Sequence, residues 1–426
     1  MTKQPNWKKH LVAALASGFL AINTVVAFAA PVELSVEESI KMALNSNPTI
    51  KMADADRKSA EQQINVAKGG KLPALTLEHS DNLAHSGPDS DTDYVNTVSL
   101  KLNLYSGGKT ESDIATAKLK LKVADSVVAQ SKQKIKLDVT NDYFTILAAK
   151  NTLKVSQEAV DQMEAHLKNV QSQYSVGTVA KSDVLRSEVE LANNQQKLIK
   201  AKNDYDLAVS NFNNVIGLPL ETEVQLKDEL KHEAYTLSLT ESISYALSHR
   251  PEVIQENYNI DVAKETIKYA KGGRLPDISA TAKTGWHDKD FPGADNNNWS
   301  VGLLATWTPF DSGVTNAKVK QSDSGLIKAL EQARQTKDSV QLDVRQAYLS
   351  MNEAEKRIDT TQVAVEKAEE DFKISQVRYS AGVGTNTDVI DAQVALTQAK
   401  NNYIQAMYDF NTSKANLIKA MGVAVE

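Results

Sequence analysis

The sequence predicts a mixed, mainly α fold: a very long helical coiled coil joined to membrane-length β-strands, with the whole unit present twice. Three observations carry this. First, the stretch from Lys109 to Val176 holds neither Gly nor Pro and lies between Gly108 and Gly177. As one helix it would run about 100 Å at 1.5 Å per residue. Its apolar residues recur every seven positions through Ile114, Leu121, Val128 and Ile135, then through Val139, Ile146, Leu153, Val160, Leu167 and Tyr174. The step from Ile135 to Val139 is a stutter, which locally unwinds the left-handed supercoil that heptads impose. Second, the ladder returns 205 positions later as Val319, Leu326, Ala333, Val340, Val344, Met351, Ile358, Val365, Phe372 and Tyr379, bounded by Gly313 and Gly382. A repeat at fixed offset marks a duplication. Third, runs of about ten residues alternate with a period of two, the length and pattern of transmembrane strands.

The chain divides accordingly. Residues 1–29 read as a secretory leader: Lys3, Lys8 and Lys9 precede an apolar run from Leu11, and Ala27-Phe28-Ala29 fits a small-x-small cleavage site. Residues 30–219 form the first repeat, with strands at about 74–105, the long helix at about 109–176 and a return helix at about 180–216. A charged connection, 220–236, has no counterpart. Residues 237–426 form the second repeat, with strands at about 277–310, a long helix at about 314–381 and a return helix at about 385–421.

Each repeat opens on a short helix. Leu34-Ser35-Val36-Glu37-Glu38 leads to Asn47-Pro48, and Leu237-Ser238-Leu239-Thr240-Glu241 leads to Arg250-Pro251. A second helix follows each proline and stops at Gly69-Gly70-Lys71-Leu72-Pro73 or Gly272-Gly273-Arg274-Leu275-Pro276, strong helix terminators. The strands come next. Leu75 and Leu77, then Val98, Leu100, Leu102 and Leu104, alternate with polar residues; so do Ile278, Ala280 and Ala282, then Val301, Leu303, Ala305 and Trp307, with Leu304 out of pattern. The intervening loops, 85–93 and 288–298, are expected to face outward. Tyr94, Tyr105, Trp286, Trp299, Trp307 and Phe310 lie in the strands or at their ends, as expected of an aromatic belt at membrane–water boundaries. Open strand edges cannot remain unpaired in lipid. Two copies would give eight strands, too narrow for an open channel, so the strand count asks for three or more.

Composition excludes several function classes. There is no Cys, hence no disulfide and no thiol metal site. The net charge is −6, and −9 without the three lysines of the leader, which gives no reason to expect nucleic acid as a partner. No stretch after the leader is apolar enough for a membrane helix. Pro88-Asp89-Ser90-Asp91-Thr92-Asp93 resembles a calcium loop, but Tyr94 stands where its Gly belongs and Leu100 where its Glu belongs. The seven His show no ligand spacing, and no nucleophile–base pair or phosphate loop stands out. No cofactor, metal or enzymatic activity is expected.

The hairpin tips carry the remaining candidates. Val176, Gly177 and Thr178 in the first repeat, and Ala381, Gly382, Val383 and Gly384 in the second, supply tight reversals. Asp388 and Asp391 share a helix face; their position in a first turn also suits capping and the helix dipole. Ser182-Asp183 matches Thr387-Asp388, while Arg186 replaces Asp391.

In the order and duplication of these motifs the chain resembles the TolC family of outer-membrane efflux channels. The resemblance rests on Ala43…Asn47-Pro48, the stop from Gly69 to Pro73, the Leu104-Tyr105-Ser106-Gly107-Gly108 turn, the Tyr-Ser-x-Gly tips and Asp388-Val389-Ile390-Asp391. It covers essentially all of the chain after the leader. It implies a homotrimer with a twelve-stranded barrel in the outer membrane, four strands per subunit, and a long helical barrel reaching into the periplasm. It implies passive export with a periplasmic adaptor and an inner-membrane transporter. The tip residues would meet the adaptor. Asp388 and Asp391 would ring the periplasmic gate, with Asp183 and Arg186 beside them; Arg186 would pair with an Asp of a neighbouring hairpin. Gly384 stands where relatives can carry a basic residue, so the closed-state latch is expected to differ here. A protein-secretion channel of the same build, and a soluble periplasmic scaffold, remain as alternatives.

Overall fold

The structure, a computed structural model, describes residues 32–86 and 89–425. The expected leader and its cleavage site lie outside these residues, as does part of the calcium-like run. In chain order the elements are β1 (Val32–Leu34), α1 (Val36–Ser46), α2 (Pro48–Gly69), β2 (Ala74–Ser86), β3 (Asp89–Ser106), α3 (Lys109–Ser175) and α4 (Lys181–Ile216). The second repeat follows a short β4 (Val224–Leu226): α5 (Leu239–His249), α6 (Pro251–Gly272), β5 (Asp277–Asp288), β6 (Asn298–Thr306), α7 (Val314–Ser380) and α8 (Asn386–Ala420).

Capping chemistry sets the helix starts. Ser35 and Ser238 each close a capping box with Glu38 and Glu241, pairing two otherwise orphaned donors at each end. Pro48 and Pro251 occupy first-turn positions, where the missing N–H costs nothing. Asn47 caps α2, accepting from Thr49 N–H at 2.9 Å. Arg250 makes no cap. It is buried instead, bonded to Glu252 at 3.1 Å and Asp343 at 2.9 Å, and it donates to the Ala420 carbonyl.

The heptad ladder is the packing seam. Along α3, Val128, Ile135, Val139, Ile146 and Val160 are buried, while Ile114, Leu121, Leu153 and Leu167 are half-buried. Along α7, Val319, Ala333, Val340, Val344, Met351, Ile358, Phe372 and Tyr379 are buried. Each long helix is flanked along its length by two shorter ones: α3 by α2 and then α4, α7 by α6 and then α8. Ser46 donates to the Ile216 carbonyl at 3.0 Å and Asn47 to Val215 at 3.3 Å, so α2 and α4 meet nearly end to end. Here the unrepeated connection joins the core: β4 pairs in parallel with β1, and buried Tyr143 donates to the Leu34 carbonyl at 3.0 Å and to Asp228 at 2.9 Å.

The four long strands form one antiparallel sheet, ordered β2-β3-β5-β6. Their outward excursion is longer than the sequence suggests. Residues 89–93, expected as loop, belong to β3 and pair with 82–86 of β2. At the other end Trp307 and Phe310 lie beyond β6, which stops at Thr306.

Candidate functional site

The register separates the sheet into two chemically distinct faces. Successive cross-strand rows on one face read Tyr105-Ile278-Ala305, Leu102-Ala280-Leu303, Leu75-Leu100-Ala282-Val301 and Leu77-Val98-Thr284-Trp299. The other face reads Ala74-Lys101-Thr281-Gly302, Thr76-Ser99-Lys283-Ser300 and Glu78-Thr97-Gly285-Asn298. A bulge between Asn103 and Tyr105 returns Tyr105 to the apolar face. Leu75, Leu77, Val301 and Leu303 stand about two-thirds or more exposed, so no other described part of the chain covers them. From Ile278 to Trp286 the apolar face runs eight residues, about 26 Å, or about 20 Å once strands tilt as in a barrel; that approaches the apolar band of a membrane barrel.

The aromatics fall into two groups at the ends of this band. Tyr94, half-buried Trp286 and exposed Trp299 mark the end away from the helices. Tyr105, Trp307 and Phe310 mark the helical end, where Trp307 Nε1 donates to the Arg274 carbonyl at 3.1 Å. The 289–297 loop folds onto the far end. Phe291 meets Tyr94 edge-on at 5.7 Å, and Asn96 donates to the Pro292 carbonyl at 2.7 Å.

The helices repeat the lateral order of the strands. Near the sheet it is α2-α3-α6-α7, and beyond it α4-α3-α8-α7. The chain is therefore an open sector, with β2, α2 and α4 at one margin and β6 and α7 at the other. Both margins carry uncovered apolar stripes. On α7 these are Leu342, Leu349, Val363 and Val377, spaced by multiples of seven; on α4 they are Leu185, Val189, Ile199 and Leu207. The two repeats meet closely where helix gives way to sheet. Gly107 has φ +66°, and a Cβ there would collide with the Gly272 carbonyl oxygen, so only glycine fits. The counterpart of Gly107 is Ser312, also at positive φ (54°), and the counterpart of Gly272 is Gly69, which has open space around its Cβ direction.

At the far end of the hairpins, Val176, Gly177 and Thr178 form one exposed tip and Ala381, Gly382 and Val383 the other, with Gly384 half-buried beneath. Gly177 and Gly382 have φ of 79° and 76°. Asp388 serves as a cap partner: Thr385 N–H donates to it at 2.9 Å, and Asp388 N–H donates to Thr385 Oγ1 at 3.1 Å. The Thr385 backbone N–H, and next its hydroxyl, hold the Asp388 carboxyl below the usual carboxylate range. Asp391 is exposed one turn on and Asp183 is half-buried. Arg186 finds its partner inside the chain, donating to Thr387 Oγ1 at 2.6 Å.

Sequence reasoning missed the polar knot behind this surface. Asn386, buried at the start of α8, accepts from His166 Nε2 at 2.6 Å and from Ser187 at 3.2 Å, and donates to the Asp183 carbonyl at 3.0 Å. The His166 ring lies 5.1 Å from Tyr379. Four helices, α3, α4, α7 and α8, thus meet around one asparagine. Burial lowers the pKa of His166, partly opposed by its bond to Asn386. Gln393 adds a second tie, donating to the Ala159 carbonyl at 3.0 Å. No helix among the described residues is long and apolar enough to cross a membrane.

Comparison with known proteins places this architecture. A sequence model of the family described as outer membrane efflux protein matches residues 39–218 and 242–423, one stretch in each repeat. The outer membrane protein TolC of Escherichia coli (strain K12) is 26% identical over 397 residues, covering 89% of this chain and 80% of the relative. The alkaline protease secretion protein AprF of Pseudomonas aeruginosa is 23% identical over 443 residues, covering 98% and 90%. Among solved structures, the outer membrane protein VceC of Vibrio cholerae shares the fold at a TM-score of 0.78 and 17% identity, over 92% of this chain and 97% of that one. The two matched stretches, the lipid-suited sheet and the 67-residue helices lead to one assignment: the chain belongs to the outer membrane efflux protein family and is an exit duct of the outer membrane.

Proposed function

We propose that three copies close margin to margin into a passive conduit, working with a periplasmic adaptor and an inner-membrane transporter. The single observation that carries this is the open sector: strands and helices share one lateral order, and both margins are apolar and uncovered. Three sectors give twelve strands, enough for a water-filled lumen where eight are not. The apolar sheet face then meets lipid between two aromatic girdles, Tyr94, Trp286 and Trp299 outside and Tyr105, Trp307 and Phe310 toward the periplasm. Relatives named for efflux and for protease secretion support a duct whose cargo is chosen by the transporter behind it.

In this reading Asp388 and Asp391 form carboxylate rings at the periplasmic gate, joined by Asp183. Arg186 holds α4 to α8 through Thr387, and opening breaks that bond. Single-channel recording on detergent-purified protein tests both ideas. The wild type conducts sparingly, Arg186→Ala conducts more, and Asp388→Asn with Asp391→Asn reduces cation preference. Absence of any channel would sink the conduit, and unchanged conductance in Arg186→Ala would sink the latch. The exposed tips, Val176 to Thr178 and Ala381 to Gly384, are the docking points for the adaptor. Cysteines at Thr178 or Val383 should crosslink to adaptor in assembled complexes; their consistent failure to do so counts against docking there.

A further inference from the structure

The polar face of the sheet carries a charge pattern that neither efflux nor assembly requires. Lys101 faces Thr281 and Lys283 faces Ser99, so the two lysines are diagonal neighbours on adjacent strands. Such positions lie about 7–8 Å apart, and like charges opposed across strands destabilise a sheet. Both side chains are exposed, and among the described residues neither forms an ion pair. Carboxylates share this face but stand off. Glu78 is level with Gly285 and Asp277 is level with Ser106. At about 3.3 Å per residue and 4.8 Å per strand, each is about 12 Å or more from the nearer lysine. Asp93 and His287 lie further out. Ser and Thr occupy most neighbouring positions, and among the described residues no carboxylate is a direct or diagonal cross-strand neighbour of either lysine.

We propose that Lys101 and Lys283 form a cationic collar inside the barrel that gives the exit half of the duct a preference for small anionic solutes. The inference rests on the trimeric-conduit reading, which turns this face inward and multiplies the pair to six lysines. A twelve-stranded barrel with strands tilted about 40° has a backbone diameter of about 24 Å. Lysine side chains reach about 6 Å inward, so every permeating ion passes within about one Debye length of the collar. The duct then bears opposite fixed charges at its two ends: carboxylates at the periplasmic gate and ammonium groups at the exit.

Reversal potentials across a planar bilayer in a KCl gradient test this. Asp388→Asn with Asp391→Asn removes two of the opposing carboxylate rings and leaves Asp183 constant in every variant compared. Adding Lys101→Gln and Lys283→Gln to that background should move the permeability ratio toward potassium by roughly threefold or more, while Lys101→Arg with Lys283→Arg leaves it in place. A conducting quadruple variant with an unmoved ratio overturns the collar and leaves the conduit standing. A wild type that forms no channel overturns the conduit itself. Because the chain has no cysteine, Lys283→Cys provides an independent reading. An anionic thiosulfonate reagent should step down the current of single open pores. Failure of this cysteine to react in a conducting pore would show that position 283 does not line the water path.

Discussion

The two hairpin tips share one template and bury different things. Tyr174 and Tyr379 hold the same rung of the ladder, yet Tyr174 is 44% exposed and Tyr379 only 5%. Tyr379 packs against His166, which is held by Asn386; the rung at Tyr174 meets Lys181, whose ammonium lies 5.5 Å over the ring. The same asymmetry recurs along the molecule. Asn47 caps a helix where buried Arg250 anchors two part-exposed carboxylates, and Gly107 touches Gly272 where Ser312 and Gly69 stand apart. Within one chain the helices of the first repeat contact those of the second chiefly through α3. From α7 the contact back to the first repeat is far smaller, and it lies at the hairpin tip where Tyr379 meets His166. Duplicated positions are thus free to diverge, because the two junctions of each repeat are different junctions.

Breaking the Gly107 contact should have the largest effect. Gly107→Ala combines a backbone collision with a left-handed φ and should destabilise by about 3 kcal/mol or more, read as the unfolding midpoint in detergent. At the twin site Ser312→Gly should stabilise by up to about 1 kcal/mol. Effects of one sign at both positions would refute the claim that the junctions differ.

The Arg250 and Asn47 pair sharpens the comparison further. Arg250→Ala strands Glu252 and Asp343, but both retain water access, so about 2 kcal/mol is expected rather than the larger cost of a fully buried pair. Asn47→Ala loses a cap and about 1 kcal/mol. Equal losses in denaturant titrations would mean that Arg250 acts only as a cap substitute.

The smallest effect is a pH dependence confined to one tip. Burial lowers the His166 pKa relative to the unfolded chain, so the folded state binds fewer protons there. Stability from this site is therefore full above the ordinary histidine pKa of about 6.5 and falls as pH drops below it. The groups around the ring are neutral Asn386 and Tyr379, with Asp183 reaching the phenol electrostatically. Amide exchange at the start of α8, corrected for intrinsic rate, should accelerate by roughly threefold between pH 7.5 and 5.5. His166→Gln should flatten that dependence. A flat profile in the unaltered protein would remove His166 from the joint.

The long helices are legible in the sequence because a seven-residue rhythm sustained over ten rungs fits little besides a coiled-coil seam, and Gly108 and Gly313 sit at the N-terminal boundaries of α3 and α7. The faces of the sheet are legible from alternation, although the extent of β3 is not. Asp89 to Asp93 read as loop residues, yet ladder pairing with β2 overrides that local preference. The polar knot is invisible for a related reason. Asn386 reads as a helix-start residue and His166 as a lone histidine beside a leucine; only the approach of two hairpins distant in sequence makes them partners. Within the chain Arg186 also donates to the hydroxyl of Thr387, a contact that its place opposite Asp391 in the repeat does not suggest.

The bare strand margins at β2 and β6 have a cellular consequence. Unpaired edges are costly in lipid, so on the proposed closure of copies, entering the bilayer and finding companions become one event. Mixed populations are fragile for the same reason. On that proposed ring, a subunit faulty at either margin leaves the whole unsealed, and a minority of damaged chains would disable sound ones.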